Sequence, residues 1–406
     1  MRVLLVGAGG VGGAVVAIAT KRQSFSKLVV ADFDLDRATR VAATGGGAVD
    51  AIHLDASNEE AIAEAIRIHG IEIVFNAVDP RFVMPIFRAS LRAGVHYIDM
   101  AMSLSKPHPF DPHNLTGLML GEEQFVLSEA FAATGKLALV GMGVEPGLSD
   151  IFARYAADEL FAQIDEAGVR DGSNLTVDGY AFAPSFSIWT VVEECLNPPL
   201  VYEKGRGWFT LPPFSEPETF TFPGSIGPVT CVHVEHEEVA LIPRWIDVQR
   251  ATFKYGLGDE FIAVLKTIHD LGLSRTEPVT VGGVSVSPRD VLGAILPNPA
   301  EIGHLMHGET CAGTWVTGVG VDGQPREVYL YHLVDNDWTM ENYGVQSVVW
   351  QTALQPVLAI ELIAAGVWRG VGVLGPEALP ARPFLDLLSA SDAPWAIQER
   401  VPGGPR

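Results

Sequence analysis

Cysteine is scarce in this chain. Cys195, Cys231 and Cys311 are the only three among 406 residues, widely separated and odd in number. They form no C-x-x-C pair and no disulfide framework, which suits a reducing cytoplasm. Positive charge is short as well: 27 Lys and Arg stand against 49 Asp and Glu, a formal net charge of −22. Nucleic acid and anionic membrane both need a positive face, so neither is expected as a partner. Uninterrupted apolar runs are also lacking. The longest candidate for a membrane span, Val348 to Trp368, is broken by Gln351, Gln355, Pro356 and Glu361 and reads as a buried helix. There is no internal repeat and no low-complexity tract. The Asn-Leu-Thr triplets at 114 and 174 match a glycosylation acceptor but have no secretory context.

What the chain does have is glycine at defined places and 48% hydrophobic residues, enough for a large core and two domains. Its first stretch reads Arg2 to Val6 as a strand, then Gly7-Ala8-Gly9-Gly10-Val11-Gly12-Gly13, then the apolar run Ala14 to Ala19. A second strand, Leu28 to Ala31, ends in Asp32. Strand, glycine turn, helix, strand and acid is the order of a dinucleotide-binding unit. Gly7 permits the turn, Gly9 admits a pyrophosphate, and Gly12 lets the helix pack on the strand. Free N–H groups from Gly10 and Val11 onward face the phosphates. The direct run into a strand and acid excludes a secretory signal. Asp32 is placed to accept hydrogen bonds from the adenosine ribose, which favours NAD over NADP, with Arg37 further along as the qualifying feature.

The alternation continues with helix 36–43, strand 49–54 ending at Asp55, helix 58–69, strand 71–76, helix 85–93, strand 96–99, one long helix 122–134 and strand 137–140. Six strands separated by helices predict a doubly wound parallel Rossmann sheet over 1–147. Ligands bind such a sheet at the strands' carboxyl ends, which places Asp55, Asn76, Ala77, Met100 and Glu145 along one edge. Residues 148–344 read as an α+β domain, with strands at 175–183, 229–242, 245–255, 279–286, 315–321 and 327–334, and helices at 259–271 and 288–295. The Pro- and Gly-rich stretch 197–227 predicts a long loop serving as lid or interface. From 345 the chain turns helical and ends in a loose tail.

Several residues carry candidate chemistry. Glu145 precedes Pro146 and opens the helix that follows the sixth strand, so its backbone is extended at the mouth of the cleft. Ser187 starts a short helix containing Trp189, Glu193 and Glu194; the ring offers cation–π attraction to an amine, and a carboxylate offers it a pair. His233-Val234-Glu235-His236-Glu237-Glu238 invites a metal reading. On a strand, however, alternation splits the two histidines between faces, so no metal is expected and His236 is assigned to acid–base work. Arg244 is the basic residue placed to clamp a carboxylate.

With these residues in view, the chain resembles the saccharopine dehydrogenase (reductase-type) superfamily, nearest to its lysine 6-dehydrogenase-like members. The resemblance runs nearly end to end. It rests on Gly7 to Gly12 with Asp32, Phe75-Asn76-Ala77-Val78, Tyr97-Ile98-Asp99, Gly141 to Gly147, His236-Glu237-Glu238 with Ile242-Pro243-Arg244, Thr352 to Pro356, and Gly372 to Glu377. It implies a Rossmann domain split by an inserted α+β substrate and dimerisation domain, with the helices of 345–406 returning to it, in a cytoplasmic homodimer. The expected function is NAD-dependent oxidation at a C–N bond of an amino acid or small amine substrate. Glu145 or His236 serves as base, Glu193 or Trp189 holds the amine, and Arg244 holds a distal carboxylate. The alternatives are reductive condensation of an aldehyde with an amine, as in polyamine synthesis, and a catalytically silent NAD-binding sensor.

Overall fold

The computed structural model describes residues 1–404. Its first sheet holds β1 (Arg2–Val6), β2 (Lys27–Asp32), β3 (Val49–His53), β4 (Ile73–Asn76), β5 (His96–Asp99) and β6 (Leu137–Leu139). The strands are parallel and ordered β6-β5-β4-β1-β2-β3, and a strand from near the C-terminus, Gly372–Leu374, is added beside β6 as the seventh. The order reverses at β1, so the crevice for a ligand opens between the carboxyl ends of β1 and β4. The strands are near-continuous Val, Leu and Ile runs because both faces are covered, by α1 (Gly10–Arg22), α2 (Leu35–Thr44), α3 (Glu59–His69) and α4 (Val83–Ala93).

The single helix expected over 122–134 is two, α5 (Glu122–Phe125) and α6 (Ser128–Ala133). Phe125 and Phe131 both turn inward, toward Trp245 and Phe87. Six residues apart, they would stand about 120° apart on one continuous helix. The break lets Phe131 bury fully and Phe125 partly.

Beyond α7 (Leu148–Tyr155), β7 (Phe161–Ser173) runs through the middle of a nine-stranded mixed sheet. No strand is expected there from sequence, because Asp165, Glu166, Arg170 and Asp171 alternate with Gly168 and Gly172. The predicted strand at 175–183 shrinks to β8 (Thr176–Val177). After α8 (Ile188–Leu196), the stretch expected as one long loop is a hairpin of β9 (Leu200–Glu203) and β10 (Gly207–Thr210), followed by β11 (Glu218–Phe222) paired with β12 (Gly227–His233). Its prolines and glycines make turns, not a lid. Strand β12 ends at His233, short of the Ile242 expected from sequence, and Glu238–Trp245 forms helix α9.

β13 (Val248–Gly256) lies parallel to β7. Helix α10 (Asp259–Asp270), the hairpin β14 (Val279–Val281) and β15 (Val284–Val286), and α11 (Pro288–Ile295) form an outlying layer. Short β16 (Met306–His307) pairs with β8, while long β17 (Glu309–Gly320) and β18 (Pro325–Asp335) extend the large sheet. After α12 (Asn336–Tyr343), helix α13 (Ser347–Ala364) packs against α1, and β19 (Gly372–Leu374) is the seventh strand of the first sheet. α13 is the one helix among the described residues long and apolar enough to cross a membrane, with mean hydropathy 1.3, and 83% of it is buried in the core. α14 (Ala381–Ser389) packs on α13 and α7. The tail is neither loose nor returned to the first sheet: β20 (Ala396–Arg400) pairs with β18 at the edge of the second. One apolar core runs continuously through both sheets.

Candidate functional site

A cleft of about 300 Å³ lies where the carboxyl ends of the first sheet meet the second. One wall is largely backbone: Gly9, Gly10 and Val11 at the start of α1, Asn76 and Ala77 after β4, Met100 after β5, and Val144 to Pro146. Gly7 has φ +110°, and a Cβ there would stand 2.5 Å from the Ala77 carbonyl oxygen; a Cβ on Gly12 would overlap the Gly7 carbonyl oxygen. A Cβ on Gly9 would meet nothing within 4 Å, because it would project into the open cleft. Helix α1 has no side-chain N-cap and no acid in its first turn, so its leading N–H groups are free for an anion. These residues fit a dinucleotide pyrophosphate. Asn76, which also donates to the Tyr97 hydroxyl (3.0 Å), and Met100 line the nicotinamide side. Asp55 does not line the cleft; it binds Ser57 in its own turn.

Asp32, at the end of β2, is buried and accepts from the Ala8 and Asp34 amides, both at 2.8 Å. Arg37 closes on the same carboxylate through Nη2 (2.6 Å) and Nε (3.2 Å). Burial works against the charge, but Arg37 and the two amides outweigh it and hold the carboxyl below its ordinary range. The guanidinium itself is 48% exposed. The end of β2 thus carries an acid and a base together, not an acid alone.

The opposite wall is made of side chains. Asp171 from β7, Tyr255 from β13, Glu194 from α8, and His236 with Glu237 ahead of α9 all line the cleft with Glu145. Burial drives the Glu145 carboxyl well above its usual range, the Asp171 charge adds to that, and its Oε2 has no hydrogen-bond partner in the protein. Glu145 and Asp171 hydrogen-bond each other, and the Tyr255 hydroxyl also bonds Asp171; burial leaves Asp171 at about 6. Burial lifts Glu194 to about 8 against the pull of His236.

His236 stacks flat on Phe253 (3.9 Å between centroids, 8° between planes). Its Nδ1 lies 2.6 Å from Glu238 Oε2, while the other Glu238 oxygen accepts from Ser149 at 2.8 Å. Burial opposes the imidazolium, yet Glu238, Glu194 and Glu237 raise it to about 10. At neutral pH His236 is therefore a proton donor, where the sequence reading had it as a candidate base.

Three expected site residues sit elsewhere. Arg244 is on the far side of α9, its Nε bonded to the Ala240 carbonyl (2.9 Å) and its guanidinium 4.0 Å from the Phe125 ring centre. The cause is the helix: Glu238–Trp245, expected as the end of one strand and the start of the next, is helical and carries Arg244 on its last turn. Glu193 points away from the cleft and pairs with Arg289. Trp189, four residues earlier on the same helix face, has Arg81 at 4.1 Å and Arg289 at 4.8 Å from its ring centre. The residues that sequence reasoning missed are Asp171 and Tyr255; Glu194, named there beside Glu193, lines the cleft. Among the described residues no group of His, Cys, Asp and Glu is arranged to hold a metal ion.

Two protein families match the chain. The saccharopine dehydrogenase NADP binding domain covers residues 3–139, and the saccharopine dehydrogenase C-terminal domain covers residues 143–391. Carboxynorspermidine synthase of Vibrio alginolyticus is 28% identical over 423 aligned positions, covering 100% of this chain and 99% of that protein. Carboxyaminopropylagmatine dehydrogenase of Synechocystis is 27% identical over 396 positions, covering 97% of this chain and 96% of that one. In fold, the chain is similar to apo saccharopine dehydrogenase (L-Glu forming) from Saccharomyces cerevisiae, with TM-score 0.69 and 14% identity over 98% of this chain and 100% of that one. The glycine cradle, the two-sheet cleft and these matches agree: the chain belongs to the saccharopine dehydrogenase family and is a nicotinamide-dependent oxidoreductase.

Proposed function

We propose that this enzyme joins an aldehyde to an amine that carries a second positive charge, reducing the resulting imine to a secondary amine. The observation that carries this reading is the charge of the cleft. Asp79, Glu145, Asp171, Glu194 and Glu237 line it; Asp79 is paired with Arg81, and His236 is the one cation among the lining residues. An ammonium that enters favours the ionised form of these carboxyls and pairs with them. The relatives named above, a synthase of carboxynorspermidine and a dehydrogenase of carboxyaminopropylagmatine, support the condensing direction over simple oxidation of a terminal amine.

A reduced nicotinamide bound on the glycine wall supplies the hydride. The protein's own groups handle protons. The attacking ammonium must lose a proton, and Asp171, which is ionised above about 6, accepts it within the pair it forms with Glu145. The hydroxyl of the resulting carbinolamine must leave as water, and the His236 imidazolium donates the proton it needs. Glu238 keeps that imidazolium charged and fixed in orientation. Asp32 supports NAD at the ribose end, while Arg37 supports a 2′-phosphate, so the reading includes both nucleotides.

The test is absorbance-monitored oxidation of NADH and NADPH with a carboxylate-bearing semialdehyde and a panel of amines, with the product identified by mass. Nucleotide oxidation that requires both aldehyde and diamine, yielding their reduced adduct, is the expected result. Reduction of NAD(P)⁺ by lysine alone, with no adduct from any pair, would overturn it in favour of terminal-amine oxidation.

A further inference from the structure

Next to the cleft, and sharing Asp79, Thr190, Glu194 and Glu237 with it, is a side pocket of about 40 Å³. We propose that this pocket is the subsite for the far end of the amine substrate, and that it selects a primary ammonium over a guanidinium or a methyl group. The proposal rests on the cationic-amine reading above and adds where the second charge goes.

Most charges around the pocket are already matched. Asp79 pairs with Arg81 at 2.8 Å and Glu193 with Arg289, and both guanidiniums lie against Trp189. That closes the indole to a further cation. Glu235 is different. It is 8% exposed, and its Oε2 accepts from Ser105 (2.9 Å) and Asn197 (3.0 Å), while its Oε1 has no protein hydrogen bond. Glu194, across the opening to the cleft, has no side-chain hydrogen bond or ion pair either among the described residues. The unbonded oxygens of both residues are open and not enclosed by protein, so each can meet a donor that enters the pocket. Met102, Leu104 and Leu120 complete the walls, so methylenes pass an apolar lining before the charge meets the acids. The volume holds about three water-sized groups, enough for an ammonium with its last methylene and too little for a planar guanidinium.

Burial raises Glu235 to about 7 and Glu194 to about 8, with Glu237 and Glu193 adding to the first and His236 opposing the second. An arriving ammonium favours the ionised carboxylates, so binding near neutral pH releases a proton to solvent.

The experiment titrates full-length protein, saturated with NADP⁺, with 1,3-diaminopropane, propylamine and agmatine by calorimetry in two buffers of different ionisation enthalpy. Wild-type protein is expected to bind diaminopropane roughly 10- to 100-fold more tightly than either other amine, with proton release. In Glu235→Gln that ratio collapses toward one and the proton release falls to the share of Glu194, with unchanged NADP⁺ affinity as the check on folding. Leu104→Trp, which fills the pocket without altering its charge, gives the same collapse. Equal affinity of wild type for diaminopropane and propylamine, or agmatine binding as tightly as diaminopropane, overturns the proposal. The titration needs no turnover. Absence of condensation with every amine would therefore sink the functional reading while these affinities still decide the subsite.

Discussion

The two walls of the cleft are built by opposite means. The nucleotide wall is backbone: glycines whose missing Cβ atoms leave room, and helix N–H groups that carry a fixed partial charge. The substrate wall is a set of buried carboxyls around one imidazolium, and its charges depend on pH and on one another. A backbone wall binds the same way at any pH and fails all at once when a methyl group is added. A carboxyl wall is tunable, and each member can be removed singly with a graded effect.

The sharpest way to break the contrast is Gly12→Ala. Its Cβ would overlap the Gly7 carbonyl oxygen, so nucleotide binding is expected to fall below detection by fluorescence titration. Normal affinity would mean that the turn tolerates rearrangement and that the backbone is not the determinant. Next in size is His236→Gln, which removes a proton donor. Turnover should drop roughly 10²- to 10⁴-fold while nucleotide affinity is unchanged. A parallel loss of nucleotide affinity would show that the walls are not separable.

A subtler probe is the pH profile of kcat/KM. It should rise between about 6 and 8 as Asp171 and Glu194 ionise, and fall near 10 as His236 loses its proton. Glu238 favours the charged ring, so Glu238→Gln should bring the alkaline limb down toward the ordinary histidine value of about 6.5. An unmoved limb would assign it to another group. The smallest effect is expected at the ribose end. Arg37→Ala should weaken NADP about tenfold and NAD less, because only NADP carries the phosphate that this guanidinium meets. Equal losses for both nucleotides would make Arg37 a support for Asp32 only.

The same division explains what could be read in advance. The first six strands, the glycine cradle and Asp32 are encoded within the opening stretch and a regular alternation, so local pattern suffices. The substrate wall is assembled from residues far apart in sequence. Asp171 was invisible because β7 hides behind Gly168, Gly172 and four charges; the signal for it was indirect, since the long hairpin of β17 and β18 needs a further strand beside it. Glu193 and Glu194, both named from sequence, stand about 100° apart around a helix. Ser187, Thr190 and Glu194 mark the cleft face, while Trp189 and Glu193 mark the one against Arg289. Arg244 failed for a related reason, because an apolar run such as Val239 to Ile242 fits a strand or a buried helix equally well.

Helix α13 carries a consequence for the life of the chain before it is an enzyme. Its partner α1 is made first, but α13 follows more than three hundred residues later, and β19 later still. Throughout synthesis the nascent first half therefore lacks the helix that covers α1 and the strand that guards the edge of β6. When α13 emerges it is an apolar segment with almost no polar face, the kind of surface that chaperones hold and that aggregates when they do not. The glycine cradle closes on Ala77 and Asp32, which are made early, while the helix that covers α1 arrives only near the end of synthesis.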